Sequence, residues 1–274
     1  MNGYMKKLIV TVAPTGSLPT REMTPHVPIT AGEIIETGIR CESAGASIIH
    51  VHARDPEDGT ASTKYHLFEE IYHGLKEKTG LIIQISTGGR AGMAYEQRCK
   101  RLRLRPEMAS LTTGSVNFPT SIYENSPDLI NALAKDMLEL GIKPELEVFD
   151  LSMINNGILL AQEGLAIPPL HFDFVMGLKG AIPASIDNLV YLKNTIPRDA
   201  TWSVAGVGPA QLPMNLHAVM MGGHVRVGLE DNIYYKKRQL ATNEALVERI
   251  VRLSGELGRE VATPDEAREI LHLT

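Results

Sequence analysis

Ser47-Ile48-Ile49-His50-Val51-His52-Ala53-Arg54-Asp55 is an apolar run that ends in polar and charged residues. Read as a strand, it has a side-chain period of two, so His50 and His52 point to one face while Ile49 and Val51 point to the other. Seven further short apolar runs resemble it: Lys7–Ala13, Leu81–Ser86, Met108–Thr112, Glu145–Phe149, Phe172–Met176, Thr201–Val207 and Val225–Leu229. Helix-like segments fill most of the gaps: Thr30–Ala44, Tyr65–Lys78, Tyr95–Arg103, Ser126–Leu140, Ser152–Glu163, Ile186–Asn194 and Gln211–Met221. Thr30 and Glu33 stand at capping-box spacing at the start of the first. Strands alternating with helices imply parallel β-α-β units, and eight of them without a linker predict an α/β (β/α)8 TIM barrel over residues 1–274, one domain. An open doubly wound sheet is the competing architecture. Thr242–Leu257 and Pro264–Leu271 predict extra C-terminal helices, the second opened by the capping box Thr263-Pro264-Asp265-Glu266.

Composition fits a soluble globular enzyme. The chain has 274 residues, 43% hydrophobic and 22% charged, with a net charge of −5 that gives no reason to expect nucleic acid as a partner. The early apolar run Leu8–Ala13 is broken by Thr11 and followed by Pro14, too short to span a membrane and without a cleavage-site pattern. Cys41 and Cys99 are too few for a disulfide framework and read as reduced thiols, so a cytoplasmic location is expected.

Barrels of this kind carry their chemistry at the C-terminal ends of the strands. Two imidazoles converging from the second strand make half of a metal site. The eighth run reads His224-Val225-Arg226-Val227-Gly228-Leu229-Glu230-Asp231-Asn232. Its alternation directs Arg226 and Glu230 into the barrel, where buried charges need partners or a metal. Strand 1 alone separates strands 8 and 2, so Glu230 can complete a His-His-carboxylate set. Three protein ligands with an open position are typical of catalytic zinc, and other divalent ions suit the same donors. The competing reading is two hydrogen-bonded core histidines and an Arg226–Glu230 salt bridge.

Other strand ends add polar groups. Gln84 and Ser86 share a face. Glu147 reads either as a carboxylate behind the metal or a base, or as the salt-bridge partner of Arg54 or Arg226. Gly206 and Gly208, in Ala205-Gly206-Val207-Gly208-Pro209, open into a helix and let backbone approach a phosphate; a tight turn needs them equally. The basic runs Arg98–Arg105 and Lys236-Lys237-Arg238 read as solvated faces or interface residues, or as contacts for an anionic cosubstrate. Trp202 reads as core.

These segments together are similar to a known family. Ile48–Arg54, Ile83–Gly89, Pro144–Val148, Thr201–Gly208, Gly222–Asn232 and Ala262–Leu271 resemble the β-keto acid cleavage enzymes, and the resemblance covers essentially the whole chain. It implies a zinc-dependent (β/α)8 enzyme that takes a β-keto acid and acetyl-CoA to acetoacetate and a new acyl-CoA, and that assembles as a homo-oligomer, commonly a tetramer. By the same resemblance His50, His52 and Glu230 match metal ligands, and Ser86, Glu147, Arg226 and Asp231 match polar active-site positions. Asp231 is then suited to move a proton, Arg226 to position it or stabilise an oxyanion, and Ser86 to hold the substrate carboxylate.

One departure bears on the substrate. Family members acting on an amino-substituted keto acid carry a glutamate near the position of Leu18. Leu18 cannot pair with an ammonium, and Met23 nearby is also apolar, so a neutral, partly apolar substrate side chain is expected. Arg21 is the candidate for a second substrate carboxylate, or else a solvent-exposed loop charge. Two other readings compete. An amidohydrolase-type hydrolase would carry its His-x-His pair on the first strand and use no coenzyme A. A non-catalytic ligand-binding barrel would have no use for inward Arg226, Glu230 and Asp231.

Overall fold

The computed structural model describes residues 6–89, 93–118 and 121–273. All eight apolar runs are strands of one closed parallel barrel: β1 (Val10–Val12), β2 (Ile48–Val51), β3 (Ile82–Ile85), β4 (Met108–Thr112), β5 (Lys143–Val148), β6 (His171–Met176), β7 (Thr201–Gly206) and β8 (His224–Val227). Each strand lies beside its neighbours in sequence, and β1 closes the ring, with Thr11 level with both Arg226 of β8 and Ile48 of β2. The competing open sheet is thereby excluded.

The outer ring is α1 (Ala31–Ser43), α2 (Tyr65–Lys78), α3 (Tyr95–Cys99), α4 (Pro127–Leu140), α5 (Leu151–Gln162), α6 (Ile186–Thr195), α7 (Gln211–Met221) and α8 (Asn243–Glu256). The capping box of α1 forms as expected: Thr30 Oγ1 accepts from the Glu33 N–H, and Glu33 Oε2 accepts from the Thr30 N–H. The box at Thr263 and Glu266 likewise starts α9 (Pro264–Leu271). This last helix stoppers the N-terminal end of the barrel. Its Ala267 and Leu271, with Ala262, pack on Ile9, Ile48, Ile82 and Met108, which point inward from β1 to β4. Trp202 stacks on Phe174 in the main core between barrel and helices. Among the described residues, no helix is long and apolar enough to cross a membrane.

The structure corrects the reading of the first basic run. The expected helix Tyr95–Arg103 is α only to Cys99 and continues as a 3-10 turn over Lys100–Leu104. Arg98 and Arg101 are buried instead of solvated. Arg98 donates to the Thr87 carbonyl (2.7 Å) and to Asn125 Oδ1 (2.8 Å), and Arg101 donates to the Ser86 carbonyl (2.7 Å). Both guanidiniums therefore tie down the loop after β3, which answers its unpaired carbonyls. Short hairpins that alternation did not reveal follow β2 (Ala53–Arg54 with Ala61–Ser62), β4 (Val116–Asn117 with Ile122–Tyr123) and β8 (Tyr234–Lys236 with Gln239–Leu240). Lys236, Lys237 and Arg238 are exposed at the tip of the third.

Candidate active site

His50 is the third residue of β2, beside Gln84 of β3. His50 Nδ1 and Gln84 Oε1 lie 2.5 Å apart. The amide oxygen can only accept, so Nδ1 carries the proton and Nε2 keeps its lone pair. That Nε2 is buried and has no hydrogen-bond partner. His52 follows the strand end, its ring centroid 5.1 Å from that of His50. Burial, against the pull of Glu230, drives the His52 imidazole down to about 3, leaving it a neutral lone-pair donor.

Glu230 reaches the same place by a route the sequence reading did not foresee. Strand β8 stops at Val227, and residues 228–231 form a turn rather than a continuing strand. Gly228, at φ +136°, brings its backbone so close to β1 that a Cβ there would lie 2.1 Å from the Ala13 carbonyl oxygen. The Glu230 N–H then donates to that carbonyl (3.1 Å), hanging the turn over the end of β1. Gly16 makes room for the side chain, since a Cβ at this residue would lie 2.4 Å from Glu230 Cγ. Glu230 Oε1 lies 3.6 Å from His52 Nε2 and 4.0 Å from His50 Nε2. One donor atom each from His50, His52 and Glu230 falls within a mutual 4.8 Å. Burial opposes the Glu230 charge, but Arg226 and the two imidazoles prevail and hold the carboxyl at about 2.

Arg226 organises the acids around it. Its Nε and Nη2 both donate to Asp231 (2.9 Å each), Nη2 also to Glu230 Oε1 (2.6 Å), and Nη1 to Glu147 Oε1 (3.4 Å). The Arg226–Glu230 salt bridge is therefore real, yet it leaves Glu230 Oε2 buried and unpartnered, like His50 Nε2. Two orphaned acceptors on neighbouring side chains are what a cation would satisfy, and the donor set of two imidazoles and a carboxylate fits a divalent metal. Burial raises the Asp231 carboxyl against the pull of Arg226. Glu147 pairs with Arg226, while the Arg54 side chain instead donates to the Thr15, Gly16, Pro19 and Gly59 carbonyls. Glu147 Oε2 also accepts from Thr112 Oγ1 (2.6 Å), which lies 3.0 Å from the Tyr123 hydroxyl.

Ser86 follows β3, buried, its Oγ accepting from the Gly88 N–H (3.2 Å). A Cβ on Gly88 would stand 3.1 Å from that Oγ, 3.3 Å from the Tyr123 hydroxyl and 3.9 Å from His52 Cε1, so these groups surround one small space beside the metal-ligand candidates. Leu18 is 73% exposed, two residues from Gly16 on the loop that Arg54 pins. Arg21 is half-exposed and paired: its Nη2 donates to both carboxylate oxygens of Glu33 (2.6 and 2.8 Å), so its charge is already shared with an acid of this chain. Gly206 ends β7 with no room for a Cβ, which would lie 2.5 Å from the Ala210 carbonyl oxygen. The Gly208 N–H donates to the Asp231 carbonyl (2.7 Å), so that amide links the β7 loop to the β8 turn instead of facing a phosphate.

Asp173, Ser203, Thr112 and Tyr123 are among the inward groups that escaped the sequence reading. Asp173 was visible in principle, because His171-Phe172-Asp173-Phe174 alternates as clearly as the second strand does. Tyr123 was not, because it arrives on a hairpin. His171, at the N-terminal end of β6, lies 3.4 Å from Glu145 and is not one of the His50, His52 and Glu230 group.

The chain is similar to known proteins over nearly its whole length. The sequence model of the beta-keto acid cleavage enzyme family matches residues 7–273. A 3-keto-5-aminohexanoate cleavage enzyme of Fusobacterium nucleatum is 47% identical over 98% of this chain and 99% of its own length. A 3-oxoadipate:acetyl-CoA acetyltransferase of Cupriavidus necator is 46% identical over 97% of this chain and 94% of its own. Among solved structures, ObcA in binary complex with oxaloacetate superposes with a TM-score of 0.78 at 22% identity, covering 91% of this chain and 68% of that one, a likeness of fold alone. With the family model spanning residues 7–273 and relatives 46–47% identical over almost the whole chain, this chain belongs to the β-keto acid cleavage enzyme family.

Proposed function

We propose that this protein converts a β-keto acid and acetyl-CoA into acetoacetate and a new acyl-CoA, at a divalent metal held by His50, His52 and Glu230. The observation that carries this reading is the pair of buried, unpartnered acceptors, His50 Nε2 and Glu230 Oε2, beside a neutral His52. Zinc suits two imidazoles and a carboxylate. When bound, it supplies Lewis-acid stabilisation of the enolate-like charge left by cleavage between the α and β carbons.

The remaining roles belong to this chain's own side chains. Asp231 exchanges the proton, and burial raises its carboxyl above the ordinary range. Arg226 fixes Asp231 through two hydrogen bonds and carries positive charge beside the developing oxyanion. Glu147 and Thr112 orient Arg226 from the opposite side. Ser86 holds the substrate carboxylate in the space beside Gly88, and Leu18 meets the far end of the substrate, favouring a neutral, partly apolar side chain. A second carboxylate, as in 3-oxoadipate, would have to draw Arg21 out of its pair with Glu33. Gly206 and Gly208 shape the rim facing the cosubstrate. The free thiols Cys41 and Cys99 suit a cytoplasmic setting, with the Cys41 thiol held protonated by burial. The exposed Ile186, Val190 and Tyr191 of α6 support a homo-oligomer, a tetramer by family likeness.

A panel of β-keto acids with acetyl-CoA, read out as acyl-CoA products alongside metal analysis, tests the reading. We expect acyl-CoA from neutral keto acids and one metal per chain. Product release without acyl-CoA formation would make the protein a hydrolase and overturn it.

A further inference from the structure

Arg226 is served by one more acid than the proposed reaction uses. Asp173 is fully buried on β6, level with Glu147 of β5 and Ser203 of β7. Ser203 Oγ donates to Asp173 Oδ1 (2.6 Å) and so sets the carboxyl plane. The other oxygen, Oδ2, has no hydrogen-bond partner and lies 3.6 Å from Arg226 Nη1. The guanidinium has five donors in a fixed plane. Three are committed to Asp231 and Glu230, and Nη1 is left between Glu147 at 3.4 Å and Asp173 at 3.6 Å.

We propose that Asp173, oriented by Ser203, is a positioning residue: it accepts from Arg226 Nη1, fixes the rotation of the guanidinium, and thereby aims Asp231. It touches neither substrate nor any metal-ligand candidate. A carboxyl buried this deeply is costly unless it is used, and apolar side chains fill the neighbouring layer of the same barrel without difficulty. Burial and the neighbouring Glu145 push the Asp173 carboxyl well above its ordinary range. An asparagine amide would keep an oxygen acceptor in the same place, facing Arg226 Nη1. Hydrogen bonds at catalytic groups are often long in the free enzyme and tighten with substrate, which accounts for the 3.6 Å separation.

The proposal rests on the reaction assigned above, so the test has a readout that does not. Asp173→Leu, Asp173→Asn and Ser203→Ala are made in the full chain and compared by steady-state kinetics, metal content and crystal structure. In Asp173→Leu we expect kcat to fall at least tenfold with KM for the keto acid changed less than threefold, metal content unchanged, and Arg226 rotated in the crystal. Asp173→Asn keeps kcat within threefold of wild type, and Ser203→Ala loses severalfold in kcat alone. Wild-type kcat and an unmoved Arg226 in Asp173→Leu would overturn the proposal, as would equal losses in the Leu and Asn variants. Should the Leu variant fail to fold, Ser203→Ala with wild-type kcat and an unmoved Arg226 would overturn it instead. Absence of wild-type turnover with every keto acid would strike the assigned reaction, while the crystal structures would still decide the positioning role.

Discussion

The two ends of the barrel interior are built from the same strands and differ by a step of two residues. At the N-terminal end β2 and β3 point Ile48 and Ile82 inward, and α9 seals them with Ala267 and Leu271. One pleat further on, the same strands present His50 and Gln84. Five of the seven unpartnered buried side-chain polar atoms among the described residues line the upper interior: those of His50, Gln84, Glu145, Asp173 and Glu230. Native interiors hold few such atoms, so their concentration at one end marks where binding partners are missing. Stability is concentrated below and incomplete polar chemistry above, although both come from one alternating pattern.

The sharpest way to break this division is at the upper end. His50→Ala or Glu230→Gln should abolish metal uptake and lower turnover roughly 1000-fold, since a Lewis acid contributes several kcal/mol and each 1.4 kcal/mol is about tenfold. Chelation of the wild type should do the same and be reversed by zinc. Thermal unfolding of the apo-protein should change little in either variant. A collapse of stability would mean that these residues serve the core. At the lower end the expectation is reversed. Leu271→Ala removes the seal from four strands and should cost about 2–5 kcal/mol by chemical denaturation, with kcat and KM at low temperature unchanged.

The barrel was legible because each apolar run carries the same period-two signal and each gap is long enough for a helix. Every barrel strand then overlapped a predicted run, including β8, where Arg226 points inward as expected. Glu230 reached its predicted place for a different reason. The alternation Arg226, Gly228, Glu230 suggested a continuing strand, while the actual turn depends on the positive φ of Gly228 and the Ala13 carbonyl, contacts between residues far apart in sequence. Arg98 and Arg101 were illegible for the same reason. Charge alone cannot distinguish a solvated helix face from a guanidinium that caps carbonyls on another loop. Asp173 was legible and passed over, since its strand was read only for its apolar face.

Leu18 is the exception at the polar end, a large apolar side chain standing 73% exposed on the mouth loop. Leu18→Glu would extend the acidic character of the upper interior outward. It should raise the preference for a cationic keto acid over a neutral one by about fivefold in kcat/KM, the size of an exposed charge pair worth about 1 kcal/mol. An unchanged preference would separate Leu18 from substrate choice and move attention to Met23.

The smallest effect concerns a carboxylate whose partners are all satisfied, the opposite of those inside the barrel. Burial works against the Glu33 charge, but the Thr30 and Ile29 N–H groups and Arg21 outweigh it and lower its carboxyl from 4.5 to about 2. A group depressed on folding contributes stability at pH values above the unfolded value, and that contribution is lost as pH falls from about 4.5 toward 2. Glu33→Gln should therefore be less stable than wild type at pH 7 by about 1 kcal/mol or less, as expected of an exposed pair and a helix cap. The gap should close as the pH of thermal melts is lowered through that window. It should also release Arg21 from its ion pair, so a dicarboxylic keto acid should gain in kcat/KM over a monocarboxylic one. If the melting gap closes and substrate preference does not move, Arg21 belongs to the frame of α1 and has no part in substrate recognition.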